Sequence, residues 1–332
     1  MSNKILITGA TGFIGGFIVE EALRRGMEVW AAVRNTSSRR YLTDPRINFI
    51  ELDFGSSASI ESSLRGMDFS YVVHAAGVTK CLKADDFHRV NTLGTINLVE
   101  ALRRLAMPLR RFVYLSSLSS YGPVHEDRPY ADIKSTDPQC PDTVYGKSKM
   151  ESERYLDGLR AFPYVILCPT GVYGPRERDY FMMAKSIKSH VDFAVGYKPQ
   201  DLTFVYVLDV VQAVFLALDG GKDGGRYLLS DGKVYSSRTF SDLICRELGI
   251  KTLLRIKAPI WFLRLVTFFG EYAGRLTGKP TALNNDKFHI MKQRNWRCDI
   301  TPAVSELGYK PQYDLSRGVP LTMRWYREQG WL

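Results

Sequence analysis

Tyr145 and Lys149 stand four residues apart in Asp142-Thr-Val-Tyr-Gly-Lys-Ser-Lys-Met-Glu, a stretch of helical character. That spacing puts a phenol and an ammonium on one helical face, about 5–6 Å apart at Cβ. A free tyrosine, with a pKa of ~10, is a poor acid–base catalyst at neutral pH. A neighbouring cation favours the phenolate and lowers that value, so the pair could trade a proton with a reacting oxygen. YxxxK arises easily in a chain with 18 tyrosines. Its position gives it weight, because it lies a strand and a loop beyond Val113–Gly122 (VYLSSLSSYG), a strand-like run that ends in hydroxyls.

A second constellation sits at the start of the chain. In KILITGATGFIGG (residues 4–16) glycines follow an apolar strand and open a helix. Glycine there costs backbone entropy, so either the turn is tight or something approaches the backbone closely. A helix N-terminus in that context offers unpaired N–H groups and a positive dipole end to a pyrophosphate. A structural strand–helix turn is the plainer alternative. The end of the second strand then selects the dinucleotide. An NAD site places an acid about 20 residues after the glycines to hold the ribose 2′-hydroxyl. Here MEVWAAVRN delivers Arg34, with Arg39 and Arg40 close behind. A guanidinium pairs with a 2′-phosphate, which makes NADP(H) the expected cofactor over NAD(H).

The elements that must position these groups are legible in the hydropathy pattern. Strand-like runs at Lys4–Thr8, Glu28–Val33, Ile47–Leu52, Tyr71–His74, Arg111–Ser116 and Tyr164–Cys168 alternate with helical segments near 13–25, 56–65, 85–106 and 143–160. Near-continuous apolar strands separated by helices argue for a parallel sheet covered on both faces. Right-handed crossovers then give an α/β, Rossmann-type doubly wound sheet. Residues 1–170 form the expected dinucleotide-binding domain, with a strand and helix at about 201–218 returning to it. Residues 171–332 are read as a smaller, mainly substrate-binding α/β region.

Apolar content of 45% with 24% charged residues is that of an ordinary globular protein. The formal charge of +10 favours anionic partners, but the basic residues form no tail or nucleic-acid motif, and nucleic acid is not expected. Five scattered cysteines without CxxC, and no His at ligand spacing, point to reduced thiols and no metal. The N-terminus lacks the pattern of a signal peptide, and a cytoplasmic location is expected. The longest apolar stretch, Ala258–Phe269, is interrupted by Arg264 and is too short to span a bilayer. It reads as a buried or lid helix, or as a peripheral membrane contact extending over about 258–276.

Five motifs in order carry a family resemblance: Gly9-x-x-Gly12-x-x-Gly15, His74-Ala-Ala-Gly77, Asn91-x-x-Gly-Thr-x-Asn97, the serine run with YxxxK, and Pro169-Thr-Gly-Val-Tyr-Gly-Pro175. Together they cover nearly all of the first 215 residues. The chain resembles the extended short-chain dehydrogenase/reductases, the NAD-dependent epimerase/dehydratase superfamily. It is closest in character to the dihydroflavonol reductase and 3β-hydroxysteroid dehydrogenase branch. The resemblance implies that Gly9, Thr11, Gly12, Phe13, Ile14 and Gly15 cradle the cofactor, and that Asp53 and Phe54 border adenine. It implies that Ala75 and Ala76 let the cofactor approach, and that Pro169 and Val172 wall the nicotinamide. Aligned on the closing Tyr-Gly, the resemblance implies that the catalytic serine is Ser117, with Ser116 its neighbouring alternative. The resemblance also implies that Tyr145 is the acid–base group, that Lys149 holds the ribose, and that Asn91 supports the lysine or packs its helix. Members commonly dimerise through the helices near 85–106 and 143–160, so a homodimer is expected.

The superfamily hosts several chemistries, so fold alone does not choose among them. The expected reaction interconverts a ketone and a secondary alcohol on a largely apolar, steroid-, flavonoid- or lipid-like substrate, a 3-keto-sphingolipid being one example. The alternative is a nucleotide-sugar epimerase or dehydratase with tightly bound NAD(P). Sugar-nucleotide members usually carry an arginine before the Phe-Val-Tyr-Val strand; here Leu202 and Thr203 stand at that place, although Arg176 or Arg178 could compensate. A non-enzymatic dinucleotide sensor is disfavoured by the intact Ser117, Tyr145 and Lys149.

Overall fold

Short β-branched runs, apolar on both sides, build a central sheet. The computed structural model describes residues 3–277 and 284–332. Its seven parallel strands are β1 (Lys4–Thr8), β2 (Glu28–Val33), β3 (Asn48–Glu51), β4 (Tyr71–His74), β5 (Arg111–Leu115), β6 (Tyr164–Pro169) and β11 (Gly225–Leu229). They lie in the order β11-β6-β5-β4-β1-β2-β3. The strand order reverses between β1 and β4, and in such sheets the ligand crevice opens at the carboxyl ends of the strands flanking that point.

Alternation along the strands sends side chains into two cores. Ile5 and Ile7 pack under α1 (Phe13–Arg24), α7 (Val207–Asp219) and α11 (Thr301–Leu307). Leu6, Val72 and Phe112 meet Leu64, Leu98 and Leu156 from α2 (Ser57–Leu64), α4 (Gly94–Arg104) and α5 (Val144–Asp157). The helix expected over 85–106 is divided: α3 (Ala84–Phe87) passes through a π-helical turn, His88–Leu93, into α4.

The remaining strands form three pairs: β7 (Gly171–Tyr173) with β10 (Phe204–Tyr206), β9 (Asp201–Leu202) with β12 (Tyr235–Ser236), and β8 (Val191–Val195) with β13 (Leu254–Ala258). A third core joins Tyr173, Phe204 and Tyr206 to α6 (Asp179–Lys188), α8 (Thr239–Leu248) and α12 (Leu315–Glu328). α9 (Ile260–Thr277) and α10 (Asn285–Lys292) complete this region. The side chains of Ala273, Arg275 and Leu276 lie outside those described.

One expectation is corrected here. The strand near 203–207 does not rejoin the central sheet; β11 takes the edge beside β6 instead. The chain leaves the sheet after Pro169, and its next strand, β7, takes β10 as its partner. The helix that follows, α7, does return to the sheet.

Candidate active site

The glycines of the first turn have separate geometric reasons. Gly9 has φ +68°, and a Cβ there would lie 2.6 Å from the backbone of Ala75 and Ala76. A Cβ on Gly15 would stand 2.1 Å from the Gly9 carbonyl oxygen, so α1 can meet β1 only without a side chain. Gly12 caps α1 and donates its N–H to Gly9 O at 2.8 Å. Gly16, to which sequence assigned no role, faces Arg176, whose Nη1 would be 3.3 Å from its Cβ.

A groove of about 450 Å³ runs past Thr11, Gly12 and Phe13 and takes in Arg40, Lys80, Arg176 and Arg178. The Arg176 guanidinium sits 4.3 Å from the Phe17 ring centroid and 4.4 Å from that of Tyr41. Its Nη2 reaches Glu20 at 2.6 Å, while Nε and Nη1 are buried without a hydrogen-bond partner. Arg176 and Arg178 therefore belong to the groove at α1 and do not line the apolar cleft described below, where sequence offered them as a diphosphate grip. A bare helix N-terminus, glycines with no room for Cβ and unpartnered guanidinium hydrogens fit a dinucleotide pyrophosphate.

Arg34 does not line this groove, and neither do Asp53, Phe54, Ala75 or Ala76; it is exposed just past β2, and its N–H donates to Ser37 Oγ at 3.4 Å. Asp53 is exposed beyond β3 and accepts from Gly55 N–H at 2.9 Å. Phe54 packs against His74, with ring centroids 5.8 Å apart. Ala76 N–H donates to Thr8 Oγ1 at 3.2 Å, which ties the β4 loop to β1. His74 is buried between Thr8 Oγ1 (2.7 Å) and Thr95 Oγ1 (3.0 Å), and burial pushes its pKa down to about 3. It is a neutral structural strut.

Helix α5 is anchored twice at its start. Thr143 Oγ1 accepts from Gly146 N–H at 2.9 Å. The Asp286 carboxylate, from α10, accepts from Val144 N–H at 3.0 Å and Tyr145 N–H at 2.9 Å. Two turns of α5 then carry Tyr145, Lys149 and Glu153 at four-residue spacing. Lys149 is buried; its Nζ donates to Leu115 O at 2.8 Å and lies 4.8 Å from the Tyr114 ring centroid. A Cβ on Gly77 would be 3.1 Å from Asn91 Oδ1 and 3.5 Å from Lys149 Nζ, so the small residue after β4 makes room for both. Asn91 lies in the π-helical turn. It accepts from Val78 N–H at 2.8 Å and donates to Val78 O (3.0 Å) and Ser148 Oγ (2.9 Å). Its amide thus locks the β4 loop onto α5, and π-turns recur at such functional positions.

The serine pair separates cleanly. Ser116 is buried and bonds to Glu153, whereas Ser117 opens a short 3₁₀ turn, accepts from Ser119 N–H at 3.2 Å and lines the cleft. Electrostatics depart from the simple expectation that Lys149 lowers the Tyr145 pKa. Burial is the largest influence on Tyr145 and raises it to about 12, opposed by a hydrogen bond with Ser117. Burial also pushes Lys149 down to about 8, opposed by the Glu153 and Cys168 charges. The Lys149 ammonium is therefore lost as pH rises through about 8. We expect an alkaline limb near pH 8 in kcat/KM, and Glu153→Gln should move that limb to lower pH by removing an anion that supports the cation. A pH profile of the two enzymes checks this.

Beyond Ser117 opens a cleft of about 460 Å³. Leu118, Val172, Met183, Leu202, Phe204, Phe240, Met291 and Trp296 line it, together with the polar Ser117, Ser119, Thr170, Gln200, Thr203 and Ser237 and the charged Glu177, Asp179 and Lys287. Asp179 bridges Lys80 (2.5 Å) and Lys287 (3.1 Å) where the cleft and the groove adjoin. Thr203, one of the two residues at the usual arginine place, bonds to Thr170 Oγ1 at 3.1 Å and to the Trp296 carbonyl. Sequence reasoning missed Asp286, for which spacing along the chain holds no signal. It also missed Glu153, whose position four residues after Lys149 was a usable one.

The chain is 27% identical over 338 residues to a UDP-glucose 4-epimerase of Vibrio cholerae, covering 97% of this chain and 95% of that protein. It is 24% identical over 359 residues to a 3β-hydroxysteroid dehydrogenase/Δ5→4-isomerase of Mycobacterium tuberculosis, covering 98% and 90%. A Thermotoga maritima UDP-glucose 4-epimerase solved with UDP-glucose superposes with TM-score 0.79 at 21% identity, covering 98% of this chain and 99% of that one. The model of the NAD dependent epimerase/dehydratase family matches residues 5–230. That match spans more than half of the chain, which belongs to the NAD dependent epimerase/dehydratase family.

Proposed function

We propose that the protein is an NADP(H)-dependent oxidoreductase that interconverts a ketone and a secondary alcohol on a largely apolar, steroid-, flavonoid- or lipid-like substrate. The observation that carries this reading is the lining of the cleft beside Ser117, which is mostly aliphatic and aromatic and binds by buried area. Its one lysine, Lys287, is held by Asp179, and Leu202 and Thr203 stand where sugar-nucleotide enzymes usually carry an arginine.

The cofactor would lie along Gly9, Thr11, Gly12, Phe13, Ile14 and Gly15, with Arg34 on the 2′-phosphate, Asp53 and Phe54 by adenine, Ala75 and Ala76 beneath, Lys149 on the ribose, and Pro169 and Val172 against the ring. When bound, its nicotinamide supplies or accepts the hydride. Ser117 holds the carbonyl oxygen and Tyr145 gives a proton to the alkoxide as it forms. With a pKa raised to about 12, Tyr145 rests as a neutral phenol, the form that reduction uses. Asn91, Asp286 and Glu153 position the helix that carries Tyr145 and Lys149.

A nucleotide-sugar epimerase or dehydratase is the second reading, favoured by the similarity to two UDP-glucose 4-epimerases. The cofactor assignment has its own test. NADPH should bind more tightly than NADH, and Arg34→Ala should cost NADPH about tenfold to a hundredfold while leaving NADH unchanged, the loss of one charge-assisted contact. Equal affinities in the wild type would remove the 2′-phosphate argument.

A further inference from the structure

α9 turns its apolar side outward. Trp261, Leu265, Phe268 and Tyr272 recur four, three and four residues apart, with Phe262 and Phe269 beside them. Trp261, Phe268 and Phe269 are 65, 65 and 63% exposed. The inner side is held by Leu263 and Thr267, both buried, and Thr267 Oγ1 donates to Leu263 O at 3.0 Å. A helix that served only to cover a core would be arranged the other way round. An exposed apolar surface of this kind marks an interaction site.

The surface continues to the mouth of the cleft. β13 leads through Pro259 into α9, and its partner β8 carries Phe193, 59% exposed, which also lines the cleft. On the other flank α9 packs on α10, which gives Lys287, Ile290 and Met291 to the same cleft.

Charge selects the occupant. Lys198, Lys257 and Arg264 are exposed around the aromatic stripe and have no carboxylate partner among the described residues. The acid on the helix, Glu271, is half-buried. Aromatic side chains ringed by cations are the pattern of a helix lying in a lipid–water interface, and the cations favour anionic headgroups. Among the described residues no helix is long and apolar enough to cross a membrane, so the contact stays at the surface.

We propose that α9 seats the protein on an anionic bilayer, with the cleft mouth beside the lipid. An apolar substrate then enters the cleft without passing through water; that consequence rests on the substrate reading above, whereas the docking does not.

Flotation of the full chain with vesicles of phosphatidylcholine, with and without phosphatidylglycerol, tests this. The wild type is expected to float with the anionic vesicles, less so at raised salt, and weakly with phosphatidylcholine alone. The triple variant Trp261→Ser, Phe268→Ser, Phe269→Ser changes only exposed side chains. It should lower vesicle partition about tenfold or more and leave the melting temperature and NADPH affinity at wild-type values. Lys198→Gln, Lys257→Gln and Arg264→Gln should each lower the preference for phosphatidylglycerol about fivefold. A wild type that stays in the aqueous fraction at every composition, or an aromatic variant that floats equally well, overturns the proposal. So does a wild-type oligomer by light scattering that the aromatic variant dissolves, because a second copy then covers the stripe. Flotation involves no turnover, so failure of the docking and failure of the substrate reading are scored separately.

Discussion

Tyr145→Phe lowers turnover about 10²- to 10⁴-fold, the usual worth of a positioned proton donor. The substitution keeps the ring, which packs edge-on against Phe87 at 6.3 Å between centroids, and removes only the hydroxyl. NADPH affinity and the melting temperature should therefore hold at wild-type values, and the loss should appear in kcat rather than KM. Steady-state kinetics beside a cofactor titration separate these effects. Retention of more than a few per cent of turnover would remove Tyr145 from the proton transfer.

The second large effect is at Gly15. An alanine there places Cβ 2.1 Å from Gly9 O and 2.7 Å from Gly9 C, both backbone atoms that cannot rotate away. α1 must move off β1, so Gly15→Ala should cost stability by about 1–3 kcal/mol, in the range of overpacked cores, and abolish measurable cofactor binding. Gly12→Ala provides the contrast. Its Cβ would stand 3.0 Å from Gly9 O, a contact the turn can relieve by a small shift. That variant should melt near the wild type yet bind NADPH poorly, because its methyl occupies the pyrophosphate approach. Thermal unfolding and fluorescence titration of both variants check the distinction; equal behaviour would show that the two glycines do not have separate roles.

What could be read from sequence was what depends on neighbours along the chain. The glycine spacing, the phenol and ammonium on one helical face, and the alternation of apolar strands with helices are local patterns, and each stands in the structure. Only alignment on the closing Tyr-Gly prefers Ser117 over Ser116, because the physical distinction is tertiary: a buried Glu153 takes the first and leaves the second facing the cleft. Asp286 caps α5 from 141 residues away, a relation no periodicity records. The short run Phe204–Tyr206 has strand character wherever it pairs, so its exclusion from the main sheet could be decided only by β11 taking the edge of β6. The Tyr145 pKa shows the same limit. Spacing puts an ammonium on the same helical face, but burial, which sequence does not show, is the largest influence on the phenol.

The proposed reaction is a net hydride transfer to an apolar ketone, and its most direct test is the molar ratio of NADPH consumed to alcohol formed. Purified enzyme would be incubated with steroid- or sphingoid-type ketones, following NADPH by absorbance and the alcohol by mass spectrometry. A ratio of one, with no turnover of UDP-glucose, is the predicted result. Conversion of UDP-glucose with no net change in the cofactor, and no NADPH consumed with any ketone, would contradict it and establish the epimerase reading instead.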